Sequence, residues 1–293
     1  MKVYKSDTAK RNIYKTYDEL LSKWDVAVEE KDVSTTYGTT HVILSGDDRN
    51  PPLVLFHGVG DDSALMWIFN AKELSEHFRI YTVDTIGGPG KSIPNEKYNK
   101  DFDQIKWIDD VFDELGLERA YVAGVSMGSY ITQHYGIMRP DRVIKMICMS
   151  GSISVKEIGS PLKNMIKVFL PEALFPTKRN VVKLLKKMTG DNSSIFTDNP
   201  IIIEHYTWLL KGFNNMAMSN HKIKSFDEKQ LQVIKDKSLF LRGESDPLGN
   251  ADRAKDILSK YHMNYRFFHG VGHGINHEIS KTVNEIMIEY FTE

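Results

Sequence analysis

In Ala123-Gly124-Val125-Ser126-Met127-Gly128-Ser129, Ser126 stands directly after the apolar run Tyr121–Val125 and directly before a helical pattern. Gly124, Ser126 and Gly128 form G-x-S-x-G, and a strand-to-helix setting is the context in which that spacing has chemical meaning. The turn has to be sharp. Small residues two before and two after the serine let strand and helix approach, while the serine takes a strained backbone conformation that exposes its Oγ. In an ordinary loop the same letters are a Gly-Ser turn; here they mark Ser126 as a candidate nucleophile.

Outward from this turn, apolar runs of strand length alternate with longer helical periodicities, the pattern of a mainly parallel sheet covered by helices on both faces. The expected strands are Thr40–Leu44, Leu53–Phe56, Arg79–Val83, Ala120–Val125, Val143–Met149, Ser238–Leu241 and Asn264–Phe268, with an earlier one at Val26–Val33, eight in all. Helices are expected at Ser63–His77, Asp101–Leu115, Met127–Met138 and Asp252–Tyr261, each near the length of a right-handed crossover. Thr8–Trp24 reads as an N-terminal helix and Ile275–Phe291 as a closing one.

One block interrupts the series. From Gly151 to about Lys237 no strand pattern appears, while helical signals recur: Pro161 as a first-turn residue, then Val181, Leu184, Leu185 and Met188 on one face with Gly190 as a stop. Asn199-Pro200 opens another helix and Gly212 closes it. The expected organisation is a core domain over 1–150 and 238–293 and an inserted helical cap over 151–237, enclosing a substrate beneath it. No internal repeat or low-complexity tract is present.

A serine that transfers acyl groups needs a place for negative charge. Phe56-His57-Gly58-Val59-Gly60 ends an earlier strand in a glycine-rich bend, so the backbone N–H groups of Val59 and Met127 are the expected oxyanion donors. His57, at a strand end before glycine, reads as a brace for that loop rather than a base. For the base, the order Ser, acid, His points to the C-terminal loop Phe267-Phe268-His269-Gly270-Val271-Gly272-His273-Gly274. His273, between two glycines, is favoured over His269, which is close to the strand, and His277, in the first turn of the closing helix. The orienting carboxylate belongs after the strand Leu239–Gly243, where Glu244 and Asp246 are both candidates. Asp246, before Pro247 and deeper in the loop, is preferred, and Glu244 is then a solvated turn residue.

Composition narrows the partners. The chain carries 38 Lys+Arg against 39 Asp+Glu in 293 residues, with no long single-sign block, so nothing marks a surface for nucleic acid or an anionic membrane. Met1 to Lys10 is polar, without the apolar stretch of a secretory signal, and no run approaches bilayer-spanning length; a cytoplasmic location is expected. Cys148, the only cysteine, lies in the apolar run Lys145–Ser150 and reads as a buried strand residue. Gly87-Gly88-Pro89-Gly90-Lys91-Ser92 ends like a phosphate loop, but Thr85 stands where the first glycine is required and Pro94 interrupts the helix that should follow. Metal-ligand spacings are absent, and His277-Glu278 alone is too little.

His57-Gly58, Asp84 through Ser92, Gly124 through Gly128, Asp246 and Gly272-His273 together resemble the α/β-hydrolase superfamily over nearly the whole chain. More narrowly, Trp24-Asp25-Val26, Thr36-Tyr37-Gly38, Thr40-His41-Val42-Ile43, Asp84-Thr85-Ile86-Gly87 and Lys91-Ser92-Ile93-Pro94 are similar to a group of Bacillus-type carboxylesterases. The resemblance implies ester hydrolysis without metal or organic cofactor. It also implies the roles already read for Ser126, Asp246, His273, Val59 and Met127. C–C bond, thioester or peroxide chemistry, acyl transfer to an acceptor other than water, and a receptor that kept the fold are the other readings this constellation leaves open. A small-molecule ester is the expected partner. The aromatic and Met side chains of the cap, Phe169, Trp208, Phe213 and Met216 among them, are candidates for a pocket that favours compact apolar acyl groups.

Overall fold

The computed structural model describes residues 2–158 and 162–293. Pro161, read above as a first-turn residue, lies outside the described residues. In chain order the elements are α1 (Asp7–Leu21), β1 (Val28–Thr35), β2 (Gly38–Ser45), β3 (Pro52–Phe56), α2 (Ser63–Met66), α3 (Ala71–Ser75), β4 (Arg79–Val83), β5 (Ile93–Pro94), α4 (Gln104–Glu114), β6 (Ala120–Val125), α5 (Met127–Met138) and β7 (Val143–Met149). Then follow α6 (Leu162–Ala173), α7 (Lys178–Met188), α8 (Ser194–Thr197), α9 (Pro200–Gly212), α10 (Glu228–Ile234), β8 (Ser238–Gly243), α11 (Ala251–Lys260), β9 (Asn264–Phe268), α12 (Ile275–Glu278) and α13 (Ser280–Thr292).

The sheet runs β1-β2-β4-β3-β6-β7-β8-β9. The pairs β1/β2 and β2/β4 are antiparallel, and every pair from β4/β3 to β8/β9 is parallel. These eight are the strands expected from the sequence. A ninth, the two-residue β5, pairs with β2 and was not anticipated, because Ile93-Pro94 is too short to show a period. The central parallel strands are near-continuous apolar runs, as burial on both faces requires: β3 has no exposed residue and β8 is buried throughout, whereas the edge strand β9 exposes Asn264, Tyr265 and Arg266. One face packs Ile13, Tyr17, Leu20, Leu65, Trp67, Leu74 and Met287; the other packs Trp107, Ile108, Phe112, Ile131 and Leu258. Cys148 is fully buried on β7.

Two expected helices are broken. Ser63–His77 is interrupted between α2 and α3, where Asn70 is buried and its amide donates to Asn276 O at 3.0 Å and Asn284 Oδ1 at 2.8 Å. The closing helix breaks at Ile279, between α12 and α13, where Asn276 Nδ2 donates to Met66 O at 2.6 Å. Buried amides joining distant segments outweigh local helical periodicity at both places. Between β7 and β8 no strand occurs among the described residues; Val181, Leu184 and Leu185 form the buried face of α7. The start of the chain meets this block: Lys5 N–H donates to Gly212 O and Asn214 N–H to Val3 O, at 2.8 and 2.9 Å.

Candidate active site

Because β3, β6, β8 and β9 all run parallel, the loops after them leave one edge of the sheet, and those loops carry the candidate residues. Ser126 lies between β6 and α5 with φ 57° and ψ −113°, a backbone conformation that costs about 1–3 kcal/mol outside glycine. Its N–H donates to Met149 O at 2.9 Å, which holds the turn against the end of β7. The flanking glycines permit the approach: a Cβ on Gly124 would lie 2.2 Å from Gly128 O, and one on Gly128 would lie 2.2 Å from Phe56 O.

The loop after β3 faces the serine. A Cβ on Gly58 would sit 3.3 Å from Ser126 Cβ, so the backbone that leads into Val59 crosses directly beside the nucleophile candidate. Met127 is the first residue of α5, where a backbone N–H has no intrahelical acceptor. His57 fixes the loop's base: its Nδ1–H donates to Gly58 O at 2.8 Å, and its Nε2 accepts from Thr85 N–H at 2.8 Å. Beyond it, Asp62 caps α2 through Leu65 N–H and pairs at 2.7 Å with His205 of α9; both side chains are fully buried. Burial alone pushes Asp62 up, but the pull of His205 outweighs it and holds the carboxyl below its usual range.

Asp246 and His273 come together from the loops after β8 and β9. The Nδ1–H of His273 donates to Asp246 Oδ2 at 3.0 Å, leaving Nε2 for another partner. Asp246 is 5 % exposed. Burial pushes its carboxyl up, but His273 first and then Arg242, 3.3 Å away, hold it below the usual carboxylate range. Leu248 N–H supplies a further bond at 2.9 Å to Oδ1. The His273 backbone is tied to the serine's side of the sheet through Ser150, at the end of β7, whose Oγ donates to His273 O at 2.5 Å.

The competing candidates lie elsewhere. His269 is at the surface with Glu244, which also pairs with Lys255 at 2.6 Å. His277 is buried with Nε2 3.0 Å from Leu65 O, and burial pushes its pKa down to about 4. In the loop read as a phosphate-loop decoy, Lys91 pairs with Asp18 at 2.6 Å and Ser92 Oγ donates to Asp84 O at 2.6 Å. Asp84 organises that loop, accepting from Tyr17 OH, Ser63 N–H and Lys91 N–H at 3.0, 3.1 and 2.7 Å. In the sequence it belongs to the stretch Asp84 through Ser92 that carries the resemblance, but the donors it gathers from α1 and α2 are not legible there. Of the four residues expected to line a pocket, Phe213 is buried in a cluster with Val3, Ala217 and Met218, against which Val59 and Met127 pack. Trp208 and Phe169 are half-buried, Trp208 beneath Lys211, while Met216 is 64 % exposed.

A model of the family described as alpha/beta hydrolase fold matches residues 51–173. The crystal structure of naproxen esterase (carboxylesterase NP) from Bacillus subtilis superposes with a TM-score of 0.85 at 28 % identity, covering 98 % of this chain and 99 % of that one. The chain has the α/β-hydrolase fold. Two Bacillus subtilis relatives are each 42 % identical to it: the uncharacterized carboxylesterase nap over 130 residues, 44 % of this chain and 43 % of the relative, and carboxylesterase YbfK over 137 residues, 47 % and 46 %. The aligned stretches therefore span less than half the length of these two relatives.

Proposed function

We propose that this α/β-hydrolase-fold protein is a serine carboxylesterase acting on small to medium, largely apolar esters through an acyl-enzyme on Ser126. The observation that carries the reading is the arrangement at one sheet edge: Ser126 at φ 57° on the turn before α5, the Gly58–Val59 backbone beside its Cβ, and a buried Asp246–His273 pair at 3.0 Å. The similarity to Bacillus subtilis carboxylesterases supports it.

In this mechanism Ser126 Oγ attacks the ester carbonyl carbon while His273 Nε2 takes its proton. The developing oxyanion rests on the N–H of Val59, in a loop that His57 and Asp62 already hold in place, and on the N–H of Met127 at the start of α5, so little reorganisation accompanies the charge. Asp246 keeps Nδ1 protonated and stabilises the imidazolium. His273 returns the proton to the departing alkoxide; water, deprotonated by the same nitrogen, then attacks the acyl carbon and releases the acid. Residues 151–237 act as the cap that selects substrate, with the Phe213 cluster, packed against Val59 and Met127, favouring apolar acyl groups. No helix among the described residues is long and apolar enough to cross a membrane, and a cytoplasmic location fits the reading.

The test is labelling with a fluorophosphonate followed by a panel of esters, thioesters and amides. One label per chain, lost in Ser126→Ala, with p-nitrophenyl esters turned over fastest, is the expected result. Full ester turnover by purified Ser126→Ala would refute the assignment.

A further inference from the structure

Glu278, on α12, is a buried carboxylate that forms no salt bridge among the described residues; backbone N–H groups hold it instead. Oε1 accepts from Gly272 N–H at 3.0 Å, and Oε2 accepts from Gly272 N–H at 3.1 Å and from Gly190 N–H at 2.7 Å. Gly272 immediately precedes His273. Gly190 follows the C-terminal end of α7, so one side chain grips two loops that are far apart in sequence.

The two loops also meet directly. His273 N–H donates to Met188 O at 2.6 Å and Asp191 N–H to Gly270 O at 2.7 Å, and a Cβ on Gly190 would fall 1.8 Å from Gly270 O. The anchor itself is fixed, since its neighbours Asn276 and His277 bond to the Met66 and Leu65 carbonyls of α2 at 2.6 and 3.0 Å. Burying a carboxylate is costly, and burial pushes the Glu278 pKa up. What a carboxylate does that an amide does not is accept on both oxygens at once. The other charged or titratable groups around this junction are Asp246 with Arg242 behind it, Asp191 beside Gly270, and His277, whose Nε2 points to Leu65.

We propose that Glu278 is a positioning residue for the base: it holds the Gly272–His273 loop where His273 meets Asp246, locks the end of α7 onto that loop, and lends negative charge to the imidazolium that forms during proton transfer. This rests on the reading of Ser126, Asp246 and His273 as the triad. Replacing Glu278 by Gln turns an amide N–H toward a backbone N–H in either orientation and removes the charge. Replacing it by Asp keeps the charge but withdraws it by one methylene.

The experiment measures kcat, KM and the pH profile of kcat/KM on p-nitrophenyl acetate for the wild type, Glu278→Gln, Glu278→Asp, His273→Asn and the Glu278→Gln/His273→Asn double variant. Active-site concentrations come from fluorophosphonate titration of the single Glu278 variants and the wild type, and folded fractions of all five from thermal melts. Glu278→Gln is expected to lower kcat about 10–100-fold with KM changed less than about threefold, as a displaced base does. Its ascending pH limb should move down by about 0.5–1 pH unit, because a negative charge near the imidazolium is gone. Glu278→Asp should lose kcat while its limb stays in place. The double variant should be no slower than His273→Asn. Wild-type kcat and an unmoved limb in Glu278→Gln, a double variant slower by the full single-variant factor, or wild-type kcat in Glu278→Asp should the Gln variant not fold, would each overturn the proposal. Wild-type turnover in His273→Asn would instead overturn the triad reading beneath it.

Discussion

Replacing Asp61 by Asn should stabilise the protein, and more so as the pH rises. Asp61 follows Val59 and Gly60 in the loop after β3, is 7 % exposed, and adjoins the buried Asp62. Its Oδ1 accepts from Asp62 N–H and its Oδ2 from Tyr206 OH, both at 3.1 Å. Burial first, and then repulsion from Asp62, push its pKa from 3.8 up to about 7. A carboxyl raised in the folded state binds its proton more tightly there than in the unfolded chain. Its contribution is therefore neutral below about pH 4, turns against folding as the pH climbs to about 7, and is a constant penalty above that. About three pH units at roughly 1.4 kcal/mol each give a ceiling of about 4 kcal/mol at pH 8. Asn reproduces the neutral acid: its amide N–H can donate to Tyr206 Oη as a protonated Oδ2 would, and its oxygen keeps the Asp62 bond. Urea midpoints of wild type and Asp61→Asn, compared between about pH 4 and pH 9, should coincide at the acid end and separate steadily through neutrality. A difference that stays flat across that range, or an Asn variant that is the weaker at pH 8, refutes the reasoning.

Asp246→Asn should lower kcat by roughly two to four orders of magnitude through loss of the imidazolium partner and tautomer, whereas Glu244→Gln, which only loosens the surface contacts to Lys255 and His269, should stay within about threefold. The reverse ranking in steady-state kinetics would move the acid to Glu244. Phe213→Ala should shift the ratio of kcat/KM between bulky and short acyl p-nitrophenyl esters by about tenfold, since it opens a buried cluster against Val59 and Met127; Met216→Ala, largely in solvent, should not. An unchanged ratio in Phe213→Ala would make the cap a structural cover.

Strand content was legible because a parallel sheet demands apolar runs on both faces, and Leu53–Phe56, Ala120–Val125 and Ser238–Leu241 have no other use. The turn around Ser126 was legible for a similar reason: its constraints are local, packed into seven residues. What could not be read were pairings across long separations. Asp62 and His205 lie 143 positions apart, and Asn70 and Asn284 lie 214 apart; each residue alone is an ordinary polar side chain. The same blindness hid Asp84, whose three donors come from α1, from the start of α2 and from its own loop. It also made α2 and α3 read as one helix, since the periodicity of Ser63–His77 contains no sign of the amide contacts at Asn70.

The antiparallel strap between residues 3–5 and 212–214, with α1 lying along α9, has a consequence for synthesis. The apolar face of α1, with Ile13, Tyr17, Leu20 and Leu21, leaves the ribosome some two hundred residues before the helix that covers it. At roughly 5–20 residues per second that is a wait of about 10–40 s. A nascent chain in this interval can pack α1 against α2 and the first strands but leaves the side that α9 covers open, at a stage when β6 and β7 exist but β8 and β9 have not been made. Production of this protein should thus be sensitive to the supply of chaperones that shield such segments, and to translation speed through the stretch before α9.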